Sequence, residues 1–181
     1  AVWFEKKITP NFKGESYVTV YADDTVFCFQ YKQEAEMFMK ELLPKRLGKF
    51  GVELAEDKTK MILFGRFAKE RARGGKVETF DFLGFTHYCG KSKIGKFRVK
   101  RKTAKKKFSA KVREMKIWIR DHRYLKVTEM IRQINIKLRG HYQYYGITDN
   151  GYSLKLFMRC TNKLLWKWLN RRSEGKSYTS E

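Results

Sequence analysis

Val18-Thr19-Val20-Tyr21-Ala22-Asp23-Asp24-Thr25-Val26-Phe27-Cys28-Phe29 sets two runs of β-branched and aromatic residues on either side of a short polar interval. Residues of those types fit a pleated, half-buried surface, and the Ala22-Asp23-Asp24 interval between them predicts a hairpin turn. Adjacent carboxylates at a hairpin tip repel each other, and a divalent cation removes that conflict. Oxygen ligands on a rigid turn suit Mg²⁺, which takes one or two carboxylates and completes its octahedron with water and phosphate oxygens. Two such ions roughly 3.5–4 Å apart can activate an attacking hydroxyl and stabilise the oxygen that leaves in line with it. Asp-Asp is also a common turn dipeptide, so the pair gains its weight from the residues downstream of it.

Beyond the hairpin, Ala35, Phe38, Met39, Leu42 and Leu43 recur at helical spacing. Glu34 and Glu36 stand in the first turn and Lys45, Arg46 and Lys49 near the end, as the helix dipole favours. Pro44 predicts a kink, because proline removes an N–H from the helical ladder. Gly51 is expected to end this helix, Val52-Glu53-Leu54 to be extended, and Lys58-Thr59-Lys60-Met61-Ile62-Leu63-Phe64 to form a strand. Gly65 to Val77, with Arg71-Ala72-Arg73-Gly74-Gly75-Lys76 inside it, reads as an exposed connection. Thr79 to Tyr88 and Lys96-Phe97-Arg98-Val99 are then expected to pair as a second hairpin about Gly90 to Gly95. The first hundred residues accordingly predict an α+β unit with a mostly antiparallel sheet.

From about Thr103 the apolar period changes from two to 3.6. Phe108, Val112, Met115 and Ile119 form one stripe; Val127, Ile131, Ile134 and Leu138 form a second, closed by Gly140; Leu154, Phe157, Thr161, Leu164, Leu165 and Trp168 form a third. Three amphipathic helices on short connections predict a small bundle, with a domain boundary between Arg98 and Thr103 that divides the chain into 1–99 and 100–181.

Lys+Arg 41 against Asp+Glu 19 leaves a formal charge of +22. An imbalance of that size repels itself in a compact state, and a polyanion neutralises it, which points to nucleic acid. The excess is concentrated: between Lys91 and Lys126 stand sixteen Lys or Arg and two acids, Glu114 and Asp121. The first helical stripe leaves Lys105, Lys106, Lys111, Arg113, Lys116 and Arg120 for the other surfaces, a cationic face of the kind that grips phosphates with little base specificity. Arg139, His141, Tyr142, Tyr144, Tyr145 and Tyr152 combine charge with rings able to stack on unpaired RNA bases, though half of the tyrosines are expected in the core. Arg171 and Arg172 add a basic tip after Trp166 and Trp168. No apolar run approaches the roughly 20 residues of a membrane span. Ala1 to Lys7 lacks the uninterrupted apolar stretch of a signal peptide, so the chain is read as intracellular. Cys28, Cys89 and Cys160 are too scattered for a zinc site and predict buried reduced thiols, and His87, His122 and His141 have no ligand spacing.

Tyr21-Ala22-Asp23-Asp24 between two apolar strands resembles the Tyr-x-Asp-Asp box of reverse transcriptases, and Ala in its second place is typical of group II intron and related bacterial enzymes. Leu54-Ala55-Glu56-Asp57-Lys58-Thr59 is similar to the Leu-x-x-x-Lys-Thr element that comes after the box in that family. Phe82-Leu83-Gly84-Phe85 stands where a Phe-Leu-Gly-Phe element is expected. Arg139-Gly140-His141-Tyr142-Gln143-Tyr144-Tyr145 resembles the Arg-Gly-x-x-x-Tyr-Tyr signature of the thumb and maturase region. Four elements in family order span nearly the whole chain.

The resemblance implies the C-terminal part of a palm followed by a helical thumb and maturase domain. It implies RNA-directed DNA synthesis by two Mg²⁺ ions on intron RNA template, DNA primer and deoxynucleoside triphosphates, with an RNA-binding role in splicing for the helical half. Asp23 and Asp24 would be the metal ligands. Tyr21 and Ala22 would lie under the primer end, and Lys58 would face the incoming triphosphate or, equally, be solvated beside Asp57. Phe82, Leu83, Gly84 and Phe85 would form the primer grip, with Gly84 admitting close backbone approach. The family needs a third carboxylate and fingers that do not fit into Ala1 to Tyr17, so the 181 residues alone are expected not to extend a primer. The rival expectations are an RNA-binding maturase module that does not polymerise, and a generic basic nucleic-acid-binding protein.

Overall fold

The structure is a computed structural model that describes residues 1–55, 57–72 and 75–172. Glu56 of the expected Leu-x-x-x-Lys-Thr element, Arg73 and Gly74 of the expected connection, and residues 173–181 lie outside the described residues. The chain is α+β with antiparallel sheets, and it divides into two compact units, Ala1–Ile62 and Leu63–Glu181.

In the first unit, strands β1 (Ser16–Tyr21) and β2 (Asp24–Phe29) pair antiparallel, with Ser16 opposite Phe29, Val18 opposite Phe27 and Tyr21 opposite Asp24. Because side chains alternate along a strand, that register turns Val18, Phe27 and Phe29 to one face. There they meet a buried cluster of Phe4, Ile8 and Phe38. The rings are close: Phe27 lies 4.7 Å from Phe38, and Phe4 meets Phe38 edge to face at 5.2 Å. Tyr17, Tyr21 and Cys28 fall on the opposite face and are exposed, so the expectation of a buried thiol fails for Cys28.

The helix after the hairpin is continuous but not uniform. Helix α1 (Lys32–Met37) and helix α2 (Leu43–Gly48) are joined through a π-helical turn, Phe38–Leu42, in which the Leu43 N–H reaches the Phe38 carbonyl. Pro44 cannot donate to the ladder, and the wider turn falls just before it; this is the form the expected kink takes. The strand expected over Lys58 to Phe64 does not form. The Lys58 and Thr59 N–H groups instead both return to the Ala55 carbonyl in a tight turn.

The second unit opens with Leu63 and Gly65 donating their backbone N–H groups to Glu78 Oε2 and Cys89 Sγ, both at 3.4 Å, which replaces ladder bonding with side-chain bonding. A single helical turn, α3 (Ala68–Arg71), precedes a three-stranded meander of β3 (Phe80–Phe82), β4 (Phe85–Lys91) and β5 (Phe97–Thr103). The segment expected as one strand over Thr79 to Tyr88 is thus two strands folded at Leu83-Gly84, where both residues have positive φ (51° and 75°), the requirement of a two-residue type I′ turn.

Helices α4 (Lys105–Asp121), α5 (Val127–Tyr145) and α6 (Gly151–Leu169) share one core of Met115, Ile119, Met130, Ile134, Leu138, Phe157, Trp168 and Leu169. Two expectations about α5 need correction. Gly140 does not end it, because His141 and Tyr145 continue the buried stripe past Leu138. Ile131 is exposed, and its neighbour Met130, fully buried, takes its place in the stripe.

Candidate active-site turn and nucleic-acid interface

The Tyr21–Asp24 pair closes a two-residue turn, Ala22-Asp23, and Ala22 carries φ 49°. An alanine in that region costs of order 1–2 kcal/mol relative to its ordinary conformations, so the surrounding hairpin holds it there. Both carboxylates are exposed at the tip of a hairpin whose base is anchored by the phenylalanine cluster, and Tyr21 beside them is 63% exposed. Among the described residues neither aspartate makes an ion pair, and no third His, Cys, Asp or Glu joins them as a metal-binding group. A turn offering two unpaired carboxylates fits an ion that takes its remaining ligands from water and phosphates. Lys58 is exposed on its own turn and forms an ion pair neither with Asp57 nor with the aspartate turn.

The two aromatic elements of the second unit come together although they lie 61 residues apart: the Tyr144 hydroxyl donates to the Leu83 carbonyl at 3.0 Å. Phe85 lies parallel to Tyr144 at 5.9 Å and edge-on to Tyr145 at 5.3 Å. Gly84 fills the corner. Its carbonyl accepts from the Ala104 N–H at 3.0 Å, and a Cβ there would stand 3.3 Å from the Tyr145 hydroxyl.

The cationic face of α4 forms as its sequence predicts. Lys105, Lys106, Lys111, Arg113, Lys116 and Arg120 are all exposed, while Phe108, Val112, Met115 and Ile119 pack inward. Lys111 pairs with Glu114 and Arg120 with Asp121, each at 2.7 Å; among the described residues Lys105, Lys106, Arg113 and Lys116 pair with no carboxylate. Residues 105–181 match the model of the group II intron maturase-specific domain. The chain carries a maturase-specific domain. No curated protein and no solved structure matches it, and among the described residues no helix is long and apolar enough to cross a membrane.

Within the maturase-specific domain, Arg139 and Tyr144 are exposed, whereas His141 and Tyr145 are buried at 9% and 6% exposure. The last two were expected on the RNA-facing surface and are instead part of the fold. His141 stacks on Phe157 at 4.0 Å, and its Nε2 is buried without a hydrogen-bond partner. Burial, reinforced by the Lys111 charge, holds the His141 imidazole below its ordinary pKa. Arg171 lies over the Trp168 ring at 5.1 Å, and Arg172 reaches Met130 Sδ at 3.7 Å, so the basic tip is partly fastened to the core.

Three features in and beside the maturase-specific domain were not read from sequence. Asn150 is fully buried: its Oδ1 accepts from the Thr103 N–H at 2.8 Å, and its Nδ2 donates to the Tyr145 carbonyl at 2.8 Å and to Thr103 Oγ1 at 2.9 Å. A lone asparagine before Gly151 gives no sign of this. Arg98 reaches Asp149 at 3.5 Å, another pairing across a long stretch of chain. Trp118, His122 and Tyr124 form a ring stack at the end of α4, and here the i, i+4 spacing of Trp118 and His122 was a usable signal.

Proposed function

We propose that the chain supplies the aspartate turn and the RNA-gripping helices of a group II intron RNA-directed DNA polymerase. In this reading, residues 1–99 form the C-terminal part of the palm, and 100–181 the thumb and maturase bundle, working on RNA inside the cell. The observation that carries it is the hairpin tip at which Asp23 and Asp24 stand adjacent, exposed and without a cationic side chain, in a chain of net charge +22. Asp23 and Asp24 would hold Mg²⁺, which when bound neutralises charge on the reacting phosphates. Tyr21 and Ala22 form the surface beside the carboxylates, and Lys58 contributes a positive charge for a triphosphate. The Phe82-Leu83-Gly84-Phe85 turn presents backbone to a DNA primer strand, and the exposed cations of α4 with Arg139 hold the phosphates of intron RNA and template.

The test is substitution in the full-length protein. Asp23→Ala and Asp24→Ala should each abolish DNA synthesis on an RNA template while leaving RNA affinity within about threefold; synthesis that survives either change defeats the polymerase reading. The 181 residues alone are expected not to extend a primer, since two carboxylates are one short of the family's set. A second reading, an RNA-binding maturase that does not polymerise, is favoured by the family match, which covers only the helical part. Intron splicing that persists in both aspartate variants, together with no synthesis by the unaltered protein, would select it.

A further inference from the structure

At the junction of α4 and α5, three rings are stacked. Trp118 and His122 lie 4.4 Å apart with planes 16° from parallel, and His122 and Tyr124 lie 6.1 Å apart at 23°. The middle ring is pinned, since His122 Nδ1 donates to the Trp118 carbonyl at 2.9 Å. The inner ring is anchored, since Trp118 packs against the helical core and carries Lys137 Nζ over its face at 4.8 Å. The outer ring is open: Tyr124 is 76% exposed.

An aromatic side chain so exposed gains little from folding, and a rigid backing stack removes the rotamer entropy that a free tyrosine loses on binding. The surroundings select the partner. Arg123, Lys126 and Lys137 are exposed nearby, and the acids closest in sequence, Asp121 and Glu129, are already engaged by Arg120 at 2.7 Å and Arg132 at 2.8 Å. A flat ring offered amid positive charge suits a flat ligand carrying phosphates.

We propose that Tyr124 is a stacking site for one unpaired RNA base, with Arg123 and Lys126 holding the phosphates on either side of it. A base inside a duplex has both faces covered, so the site takes single-stranded or bulged RNA rather than helix. This rests on the RNA-binding reading above and adds to it a position, a nucleotide state and a residue. It also separates two contributions within one surface. The α4 lysines give affinity for any phosphate backbone, and Tyr124 distinguishes an unpaired nucleotide from a paired one.

The 181-residue chain can be titrated with two RNA probes at matched salt: a blunt hairpin stem, and the same stem with a single-stranded tail containing 2-aminopurine. Tyr124→Ala should weaken the tailed probe by roughly ten- to hundredfold, the range for a lost base–aromatic stack, and leave the blunt stem within about twofold. Tyr124→Trp should retain tight binding and the quenched 2-aminopurine signal. Equal loss on both probes, or no loss on either, overturns the stacking site while leaving general RNA binding intact. Failure of the unaltered chain to bind either probe in a salt-dependent manner overturns both readings. Circular dichroism of Tyr124→Ala should match the unaltered chain, because so exposed a ring contributes little to the core.

Discussion

Tyr144 is the residue through which the two aromatic elements meet. Tyr144→Phe keeps the ring against Phe85 and removes only the donor to the Leu83 carbonyl, so it should cost about 0.5–1 kcal/mol in urea denaturation, the value of one part-exposed hydrogen bond. Gly84→Ala should cost more, about 1–2 kcal/mol, because it places a side chain at φ 75° and crowds the Tyr145 hydroxyl at 3.3 Å. A Gly84→Ala chain as stable as its parent would mean that this turn is not held as described. His141 makes a prediction about pH. Its imidazole is held below its ordinary pKa in the native state by burial first and by Lys111 second, so the folded form keeps it neutral. The unfolded chain binds the proton more readily; stability is therefore full above about pH 6.5 and is lost as pH falls below it. His141→Phe, which retains the stack on Phe157 and removes the unpartnered Nε2, should flatten that acid limb. An unchanged limb would assign the loss to other groups.

Elements were legible where one period ran unbroken. The α4 stripe, Phe108 to Ile119, could be read directly because a long amphipathic helix repeats its signal over several turns. The α5 stripe was displaced at one end and cut short at the other. Met130 and Ile131 are adjacent apolar residues, and periodicity alone does not choose between them. Gly140 reads as a stop because glycine commonly follows a helix, yet tertiary packing of His141 and Tyr145 carries the helix through it. Gly140→Ala settles the point: the site is exposed and a Cβ there meets nothing within 4 Å, so alanine should stabilise the chain by about 1 kcal/mol. Destabilisation would mean that the helix ends there in solution. The missing strand at Lys58 to Phe64 failed for a different reason. A strand needs a partner for its backbone, and here the Lys58 and Thr59 N–H groups turn back to the Ala55 carbonyl while the Leu63 N–H goes to the Glu78 side chain.

At the scale of the molecule, charge is the property that sequence and structure report alike. The excess cations of α4 stand exposed along one helix, and most of them are unpaired among the described residues, so affinity for RNA should fall steeply with salt. Lys105→Gln, Lys106→Gln and Lys116→Gln together should reduce the slope of log affinity against log salt by about 2–3, roughly 0.7–0.9 per lost phosphate contact. An unchanged slope would place the RNA on another face. The aspartate turn was readable because its parts are contiguous. The joining of Phe82–Phe85 to Arg139–Tyr145 was not, since nothing in either element states which distant residue supplies the donor.

Asn150 ties residues at three places in the chain, the end of β5, the end of α5 and the start of α6. Removing its amide leaves the Thr103 N–H buried without a partner and the Tyr145 carbonyl with the Ile147 N–H alone, so loss of the helix ends is felt at the last strand. Melting of the sheet and melting of the helices should therefore be coupled. Beside the Tyr144–Leu83 and Arg98–Asp149 contacts, a single uncharged side chain thus carries the buried share of the cooperativity between sheet and helices.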